Sequence, residues 1–578
     1  MIRKKLYVLL GILLFSVMTA HADITTTSQN LDEFSFKKGL KMNGGLSLSN
    51  DFYAGSDSLV KRDPYAFYLN GNLNVNLWGI AMPFSFSFSN TQRSYTQPFN
   101  RFKLDPRYKW VHLLVGTNVM SLGKYTLSDH DFNGVGVELT PGNWEISGMF
   151  GRLNKAVEYD PVKNNIGYVC YKRMGYAGKV GYHGKTGSYE VTFFHGEDKE
   201  NSLSEYLPEE CFLAPKKNTA VSAAVTQTFL KYFNFHVEYA VSVYNMNLLN
   251  DQLDTVVTTT FIDKVFHRKQ SEKMTDAFNA SLGYQGKVFG LSLQYERISP
   301  YYSSLGGYYF NEDEQNITVA PNLKLFDGKL FMSGNFGLQY NNLDNDRSTD
   351  TRHVVYSANI GYNSGKVWST NLNFSNFNTY TKVKPVSYPY YTNALDSLNY
   401  YQVSRCISMT NAFNFGGEKK AKETISLTTS YQCANMLTEE KLTSYSDFYN
   451  GALNFSQQFE EIALGWSAYF NANYCDASMT NSLYYGPGAS LNKSFFEGKL
   501  STGLSVAYNK NVVKNRDDGG LLNSGLNASY TIKPQSKKAP THTFSLNSGF
   551  TKYLDAMVTG DNKFESLTNL TYRVNFSK

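Results

Sequence analysis

Beyond its first 22 residues the chain lacks a second long apolar run. It also has few charged residues and only five cysteines. A membrane-spanning helix needs about 20 consecutive apolar residues. The lack of such a run, together with a mean hydropathy of −0.38, excludes a helical membrane protein. Charged residues make up 18% of the chain, whereas a soluble globular protein usually carries about a quarter. The composition is therefore typical of neither class.

The cysteines fit no metal-binding spacing and no small disulfide framework. They stand at Cys170, Cys211, Cys406, Cys433 and Cys475. Two alternatives remain open for them. Cys170 and Cys211 pair near an oxidising cell surface, or all five are free or buried thiols.

The N-terminus has the three parts of a secretory signal peptide in the right order. Arg3, Lys4 and Lys5 precede an apolar run at 6–17, and Ala20-His21-Ala22 forms a small-x-small cleavage site. We therefore expect residues 1–22 to be removed. Without the three basic residues the net charge falls from +6 to +3, and no basic stripe with interleaved aromatics follows. No nucleic-acid partner is expected.

Aromatic residues are abundant, at 15% of the chain, with 43 Tyr and 40 Phe. Apolar residues repeatedly alternate with Asn, Ser, Thr, Gly and Gln, as in 67–77, 330–340, 462–471 and 500–509. This period of two predicts β-strands with one apolar and one polar face. In a transmembrane barrel the apolar face contacts lipid and the polar face lines the lumen. The residues expected to face lipid include Leu69, Leu73, Val75, Leu77, Leu464, Trp466, Leu504, Val506, Leu570 and Val574.

The connections between these strands alternate in length. Short turns carry a Gly-Lys signature at 285–287, 327–329, 364–366 and 497–499, where Gly supplies the positive φ of a tight hairpin. Long polar connections lie at about 196–217, 246–274, 299–315, 342–352 and 379–399. Outer-membrane barrels have short periplasmic turns and long external loops. We therefore expect the Gly-Lys turns to face the periplasm.

The fold class expected is all-β, a transmembrane antiparallel β-barrel of about 24–26 strands. A signal peptide at 1–22 and a short periplasmic segment at 23–39 precede the barrel at 40–578. The strand count is irregular between 90 and 135, where 99–104 could add a short strand and bring the total to 26. A large soluble sandwich is the alternative, but a chain of this length would normally divide into domains, and no linker is visible.

The C-terminal strand has Leu570, Tyr572, Val574 and Phe576 on one face, and it resembles the terminal strand of outer-membrane barrels. Ser577 and Lys578 follow the last aromatic, which departs slightly from that pattern. Over the whole mature chain, this sequence resembles a porin-like outer-membrane barrel protein of the Bacteroidota kind, rich in Tyr and Asn. No plug domain is expected, because the strand pattern starts about 17 residues after the cleavage site.

The stretch 109–152 is similar to a layout seen in porins, where a segment crosses the lumen before a strand with F-x-G-V returns, here Phe132-Asn133-Gly134-Val135. Residues 91–131 also contain Pro98 and Pro106, which a central strand accommodates poorly. We hypothesise that part of this region narrows the lumen. The basic residues expected at the constriction are Arg101, Lys103, Arg107 and Lys109. They would make the pore mildly anion-selective. An external loop with solvated basic side chains is the alternative.

Catalytic motifs are absent: the sequence contains no G-x-S-x-G, H-E-x-x-H, P-loop or C-x-x-C pattern. His112, His130 and Asp131 lie close in sequence, and hydrogen bonding at the lumen or rim explains them better than catalysis. We expect no enzyme activity, no cofactor and no metal. Two hypotheses remain, a pore or transporter for small polar solutes, and a structural barrel that holds a protein partner in its lumen or at its long loops. Outer-membrane lipid surrounds the barrel in both.

Overall fold

The three-dimensional structure is a computed structural model. It describes residues 39–577 apart from 57–62, 91–99, 162–164, 204–206, 209–210, 212, 250–255, 257–267, 309–311, 345–351, 366, 381–400, 416–420, 439–440, 515, 533, 535, 537–538 and 555–562. The signal peptide expected at 1–22 lies outside the described residues, as does nearly all of the segment expected at 23–39.

The described chain is almost entirely β-structure. Its strands are β1 Leu40–Gly55, β2 Tyr65–Leu77, β3 Ile80–Ser89, β4 Arg101–Leu104, β5 Arg107–Tyr108, β6 Val111–Met120, β7 His130–Leu139, β8 Trp144–Asn154, β9 Arg173–His183, β10 Gly187–Asp198, β11 Lys217–Phe229, β12 Phe233–Asn245, β13 Lys273–Gln285, β14 Phe289–Ile298, β15 Glu314–Leu325, β16 Leu330–Asn341, β17 Arg352–Asn363, β18 Trp368–Tyr380, β19 Tyr401–Phe415, β20 Lys422–Thr438, β21 Lys441–Phe459, β22 Leu464–Ala477, β23 Thr480–Phe495, β24 Leu500–Val513, β25 Arg516–Ile532, β26 Thr541–Leu554 and β27 Phe564–Ser577. Two 3₁₀ turns, Ile166–Tyr168 and Glu200–Ser202, lie in long connections.

Each strand pairs antiparallel with its neighbours, and β1 pairs with β27 from Asn43↔Ser577 to Gly55↔Glu565, which closes the wall. β4 and β5 share one position between β3 and β6. They are separated by Asp105 and Pro106, and proline cannot donate a ladder hydrogen bond. The result is a closed 26-stranded antiparallel barrel. This confirms the expected fold class, including the short extra strand near 99–104.

The cross-strand register keeps apolar residues opposite one another around the wall. Directly opposed residues of antiparallel strands share a face. Trp466 pairs with Leu491, Leu491 with Leu504, and Leu504 with Leu526; on the other side of the closure, Leu48 pairs with both Leu69 and Tyr572. The ten residues expected to face lipid all lie on this face, and none of them is buried. Leu504 is 55% exposed.

The short turns lie at one end of the barrel and the long connections at the other, as the sequence predicts, except that the long-connection end also has two-residue connections at 439–440, 478–479 and 514–515. The first strand begins, and the last strand ends, at the short-turn end, since Leu40 pairs with Leu77 and Ser577 with Asn43. The Gly-Lys turns at 285–287, 327–329 and 497–499 lie at that end. The assignment of this end to the periplasm stays a prediction.

No helix among the described residues has the length and apolarity to cross a membrane. All five cysteines are free. The Cys170 thiol donates to the carbonyl oxygen of Lys155 at 3.1 Å, so the structure supports the free-thiol alternative over a Cys170–Cys211 disulfide.

The facing of β24 predicts different outcomes for two neighbouring substitutions. Leu504→Arg places a charge on the apolar face and should destabilise the membrane-inserted barrel by roughly 2–4 kcal/mol if the site lies near the bilayer midplane. Ser505→Arg, on the polar face, should cost far less. Urea titration of folding into lipid vesicles measures both. Equal losses for the two variants would contradict the assigned facing.

Candidate functional site

The polar face of the wall lies inside the barrel. Residues 121–129, which connect β6 to β7, reach β14, where the Lys124 ammonium pairs with the Glu296 carboxylate. Strands β6 and β14 are eight strands apart along the wall, so this contact is made across the concave side. The apolar face therefore points outward. An outward apolar face around a polar lumen is the arrangement of an outer-membrane barrel, and the chain is a transmembrane β-barrel of that type.

One part of the inner face is lined by neutral amides and hydroxyls. On β25 to β27, Asn527 pairs in register with Asn547, and Asn547 with Asn569. The hydroxyls of Ser529 and Ser545 lie 3.1 Å apart on the same face. β2 continues the pattern with an asparagine at every second position from 70 to 76. Such a surface offers mainly neutral hydrogen-bond donors and acceptors. The fixed charges of Arg573, in register with Thr543, and of Asp51, which accepts a hydrogen bond from Asn569, lie on the same face.

A different part of the inner face, from β4 to β10, is charged. The buried Asp105 carboxylate lies 3.4 Å from the Lys103 ammonium and 3.1 Å from the Arg107 guanidinium, and it also hydrogen-bonds His112. The other ring nitrogen of His112, Nδ1, lies 2.6 Å from the Glu138 carboxylate. Lys103 and Arg107 are therefore part of a paired network in the wall.

The other two basic residues expected at the constriction lie apart from this network. Arg101, in β4, lies 3.8 Å from the Asp131 carboxylate. Lys109 is exposed in the short turn after β5, with its ammonium 5.5 Å from the centroid of the Tyr108 ring. The structure thus brings Lys103 and Arg107 together and places Lys109 at the barrel's short-turn end.

The charged network continues onto β8, β9 and β10. The Lys179 ammonium lies between two carboxylates, 3.2 Å from Glu145 and 2.9 Å from Glu190. His183 Nε2 lies 2.7 Å from the second Glu145 oxygen. Most of these charges have a partner of opposite sign, so this side of the lumen is charged but locally compensated.

The connection 121–129, here called the first inward segment, folds against the inner wall. The backbone N–H groups of Leu122 and Gly123 donate to the carbonyl oxygen of Leu127 at 2.8 and 3.2 Å, which closes a tight turn. Thr192 of β10 donates its hydroxyl to the Leu122 carbonyl oxygen at 3.3 Å. A Cβ at Gly123 would lie 3.2 Å from the hydroxyl oxygen of Ser222 in β11. The backbone of the segment therefore comes close to the wall at a residue that has no side chain.

A second inward segment, residues 299–308 between β14 and β15, packs on the first. Ser304 donates its hydroxyl to the Thr126 carbonyl oxygen at 2.6 Å. The Ser128 backbone N–H donates to the Gly306 carbonyl oxygen at 2.9 Å. The sequence assigns 299–315 to an external loop, and for residues 299–308 that expectation is wrong because these hydrogen bonds, and those to β11 and β12 described next, are available only inside the barrel.

Asn218 of β11 anchors the second segment to the wall. Its buried amide oxygen accepts the Leu305 backbone N–H at 3.1 Å. Its amide nitrogen donates to the Ser242 hydroxyl oxygen at 2.7 Å, and Ser242 in turn donates to the Ser303 carbonyl oxygen at 2.6 Å. A buried amide satisfied in this way costs little to desolvate, whereas loss of the partners leaves it unpaired.

Two tyrosines link the inward segments to each other and to β14. The Tyr302 hydroxyl donates to the Tyr125 carbonyl oxygen at 2.5 Å, and the two rings meet edge to face with centroids 6.1 Å apart. Burial raises the pKa of Tyr302 above its ordinary value, so its hydroxyl remains a donor at any physiological pH. Tyr125 and Lys124 both hydrogen-bond the Glu296 carboxylate.

Beneath these contacts lies a small apolar core. Leu127, Phe132, Leu153 and Phe194 are fully buried, and Leu305 is 6% exposed. Burial of a Leu or Phe side chain stabilises by about 1.5–3 kcal/mol, so this cluster holds both inward segments in place. The lumen is therefore narrowed from one side, over β6 to β14.

His112, His130 and Asp131, close in sequence, do not form one site. His112 pairs with Glu138 in the β6–β7 ladder, while His130 pairs with Met120 at the opposite end of the same ladder. The His130 ring stacks on Tyr308, with centroids 4.2 Å apart. Within the described ranges there is also no group of three or more His, Cys, Asp or Glu side chains that could hold a metal ion.

No protein-family model and no curated protein matches the chain. Among solved structures, it is similar to the P pilus usher (PapC) translocation pore, at 9% identity and a TM-score of 0.35 over 93% of this chain and 99% of that one. It is similar to Acinetobacter baumannii OccAB3 at 9% identity and a TM-score of 0.30, over 70% and 99%. It is similar to the FrpB iron transporter from Neisseria meningitidis at 10% identity and a TM-score of 0.36, over 93% and 82%.

A substitution at Gly306 should loosen the inward segments. A Cβ there would lie 2.5 Å from the Thr126 carbonyl oxygen and 2.9 Å from the Phe194 ring. Overpacking of this kind costs about 1–3 kcal/mol. Gly306→Val should therefore speed trypsin cleavage after Lys124 roughly tenfold in the folded barrel.

Gly549→Val is the matched control, because a Cβ at Gly549 meets nothing within 4 Å. Its cleavage rate after Lys124 should equal that of the unsubstituted protein. Equal rates for Gly306→Val and Gly549→Val would contradict the packing of the inward segments.

Proposed function

We propose that this barrel is a pore or transporter for polar solutes in the outer membrane, a porin-like protein of the Bacteroidota kind without a separate plug domain. The observation that carries the proposal is the chemistry of the inner face. Neutral amides and hydroxyls predominate on the inner face of β25 to β27 and β2, while the apolar face is outside. A polar lining supports a hydrated path, which an apolar lining would not.

The size of the wall supports a passage beside the inward segments. A circular barrel of 26 strands, about 4.8 Å apart and tilted by about 40°, would measure roughly 50 Å between opposite backbones. Barrels of 16–18 strands already contain an aqueous channel. The inward segments of 9 and 10 residues contact β6 to β14. Among the described residues, most buried side chains lie between positions 114 and 305. The packing that narrows the lumen is therefore concentrated on that part of the wall, and a passage can run along the rest.

The lining favours uncharged hydrophilic solutes over apolar ones. Asn side chains both donate and accept hydrogen bonds, so a wall of Asn527, Asn547 and Asn569 can exchange hydrogen bonds with hydroxyl or amide groups of a passing solute. The opposite wall holds compensated charges, such as Lys179 between Glu145 and Glu190. A neutral solute would therefore meet no large electrostatic barrier on either side.

A structural barrel that holds a protein partner is the second candidate. It is favoured by the same width, because an open lumen of this size would weaken the outer membrane as a barrier. The amide-lined wall could then bind the backbone of a partner segment. The two candidates differ in one observable, which is whether the isolated barrel conducts ions.

Recording from the purified barrel in a planar lipid bilayer decides between them. A pore should give stable unitary conductance steps, and neutral hydrophilic polymers small enough to enter should reduce that conductance. A partner-filled barrel isolated without its partner should give either no steps or a much larger, unstable conductance. Complete absence of conductance would contradict the pore.

The basic residues of β4 and β5 should influence ion selectivity if they line the path. We propose, as the sequence suggests, that this region contributes to a constriction. Arg101→Ala, Lys103→Ala and Arg107→Ala together remove three positive charges and leave Asp105 without two of its partners. The reversal potential across a salt gradient should therefore shift toward cation preference.

Lys287→Ala, Lys329→Ala and Lys499→Ala form the control, since they remove the same charge from exposed short turns. These changes should shift the reversal potential less. An unchanged conductance and reversal potential in the Arg101, Lys103 and Arg107 variant would rule out a constriction at these residues.

A further inference from the structure

The two ends of the barrel differ in charge. The twelve short turns between strands contain twelve Lys, no Arg and five acidic residues, a net charge of +7. The thirteen connections at the other end contain seventeen basic and twenty-three acidic residues, a net charge of −6. They are here called the long connections, although 439–440, 478–479 and 514–515 have two residues each. The difference holds for each end as a sum, whereas single connections vary, from −2 at 460–463 to +3 at 533–540 among the short turns.

Of the twelve short-turn lysines, those that the structure describes are free to bind a ligand. Six of them are exposed in the structure and form no ion pair within the described residues. They are Lys109, Lys185, Lys231, Lys287, Lys329 and Lys499. A cation without a partner at a protein surface attracts anions within about one Debye length, about 8–10 Å at physiological salt. The short-turn end therefore carries separate exposed positive charges, interspersed with a smaller number of acidic residues such as Asp327 and Glu497.

Several of these turns also present an apolar side chain beside the lysine. The sequences at 325–330 and 495–500 are nearly the same, L-F-D-G-K-L and F-F-E-G-K-L. In both, the N–H groups of the Gly and Lys donate 3.1 Å hydrogen bonds to the carbonyl oxygens of the residues three before them. Phe326 and Phe496 have φ of 53° and 54° and are each 68% exposed. A left-handed backbone is unfavourable for Phe, and here it holds an aromatic ring outward in each turn.

All five tryptophans of the chain lie at this same end. Trp78 and Trp110 are in short turns, Trp144 and Trp368 begin β8 and β18, and Trp466 is the third residue of β22. Tryptophan prefers the boundary between hydrocarbon and water, where its ring is partly apolar and its N–H finds a polar partner. The tryptophans therefore place the short turns at the level of the lipid headgroups.

We propose that the short-turn end binds anionic phospholipids of the leaflet that surrounds it. The lysine ammonium groups would contact the lipid phosphates, and the neighbouring aromatic and aliphatic side chains would enter the boundary with the acyl chains. Basic residues at a membrane surface enrich anionic lipid. The cations are distributed around the barrel, from Lys109 after β5 to Lys499 after β23. A surface that encircles the wall matches this distribution, whereas one soluble partner would reach only part of it.

The tryptophans report on this site directly. Lipids with brominated acyl chains quench tryptophan fluorescence only on close approach, and all five tryptophans lie at the short-turn end. The mature chain is reconstituted in vesicles of phosphatidylcholine and phosphatidylglycerol, with one or the other lipid brominated. Phosphatidylglycerol should quench more strongly, with an association constant about threefold or more above that of phosphatidylcholine. The preference should fall as salt rises.

Three variants test the role of the lysines. Lys→Gln at the six named positions should lower the ratio of the association constants for phosphatidylglycerol and phosphatidylcholine to about one. Lys→Arg at the same positions should preserve that ratio. A control with Lys→Gln in the long connections removes equal charge at the other end and should leave the preference unchanged. Its six positions are Lys155, Lys172, Lys199, Lys216, Lys269 and Lys514.

Equal quenching by the two lipids in the unsubstituted protein would overturn the proposal. So would a preference that survives the six short-turn Lys→Gln changes, or one that is lost equally in the long-connection control. Mobility of unheated protein on a denaturing gel shows that each variant is folded. If the Lys→Gln variant fails to fold, the salt titration of the unsubstituted protein still decides, since a preference insensitive to salt would contradict binding through charge. None of these outcomes depends on whether the barrel conducts.

Discussion

The need to hydrogen-bond every backbone N–H and C=O within lipid governs this structure. Hydrocarbon offers no partner for these groups, so a sheet that spans a membrane must close on itself. Here β1 and β27 complete the closure, with Ser49 and Thr571 in register and their hydroxyl oxygens 2.8 Å apart. Once the wall is closed, each strand has one face toward lipid and one toward the lumen, and the alternation of apolar and polar residues follows.

A closed wall of 26 strands provides a hydrogen-bond partner for the backbone groups within the sheet, but it encloses a wide lumen. The inward segments reduce that lumen from one side, and they do so with contacts of short range: hydrogen bonds such as Asn218 to Leu305, a small buried core, and close backbone approaches at Gly123 and Gly306. The inner face is thereby divided into a charged side beneath and beside these segments and a neutral, amide-rich side. The proposed passage of polar solutes depends on this division.

The sequence predicted the features that repeat locally. Period-two alternation identified the strands and the lipid-facing residues, and Pro106 accounted for the irregular strand count, since it separates β4 from β5. The sequence suggested that part of 91–131 narrows the lumen, and the first inward segment lies within that range. The second inward segment could not be predicted, because 299–308 is short, irregular and rich in Ser, Gly and Tyr, like an external loop. Its partners lie up to 178 residues away in sequence, as with Ser304 and Thr126. The charge network around Asp105 was missed for a related reason. The net charge near Lys103 and Arg107 depends on which acidic residues the chain places beside them.

Closure of the wall between its first and last strands is the central claim, and a cross-link tests it most directly. Ser49→Cys and Thr571→Cys together, in a background with the five native cysteines replaced by serine, place two thiols at opposed positions of β1 and β27. Opposed positions in an antiparallel pair are close enough for a disulfide. Mild oxidation of the folded protein in vesicles should give an intramolecular disulfide in most molecules, seen as a mobility shift that reductant reverses. No cross-link, or only cross-linked dimers, would contradict a barrel closed by β1 and β27.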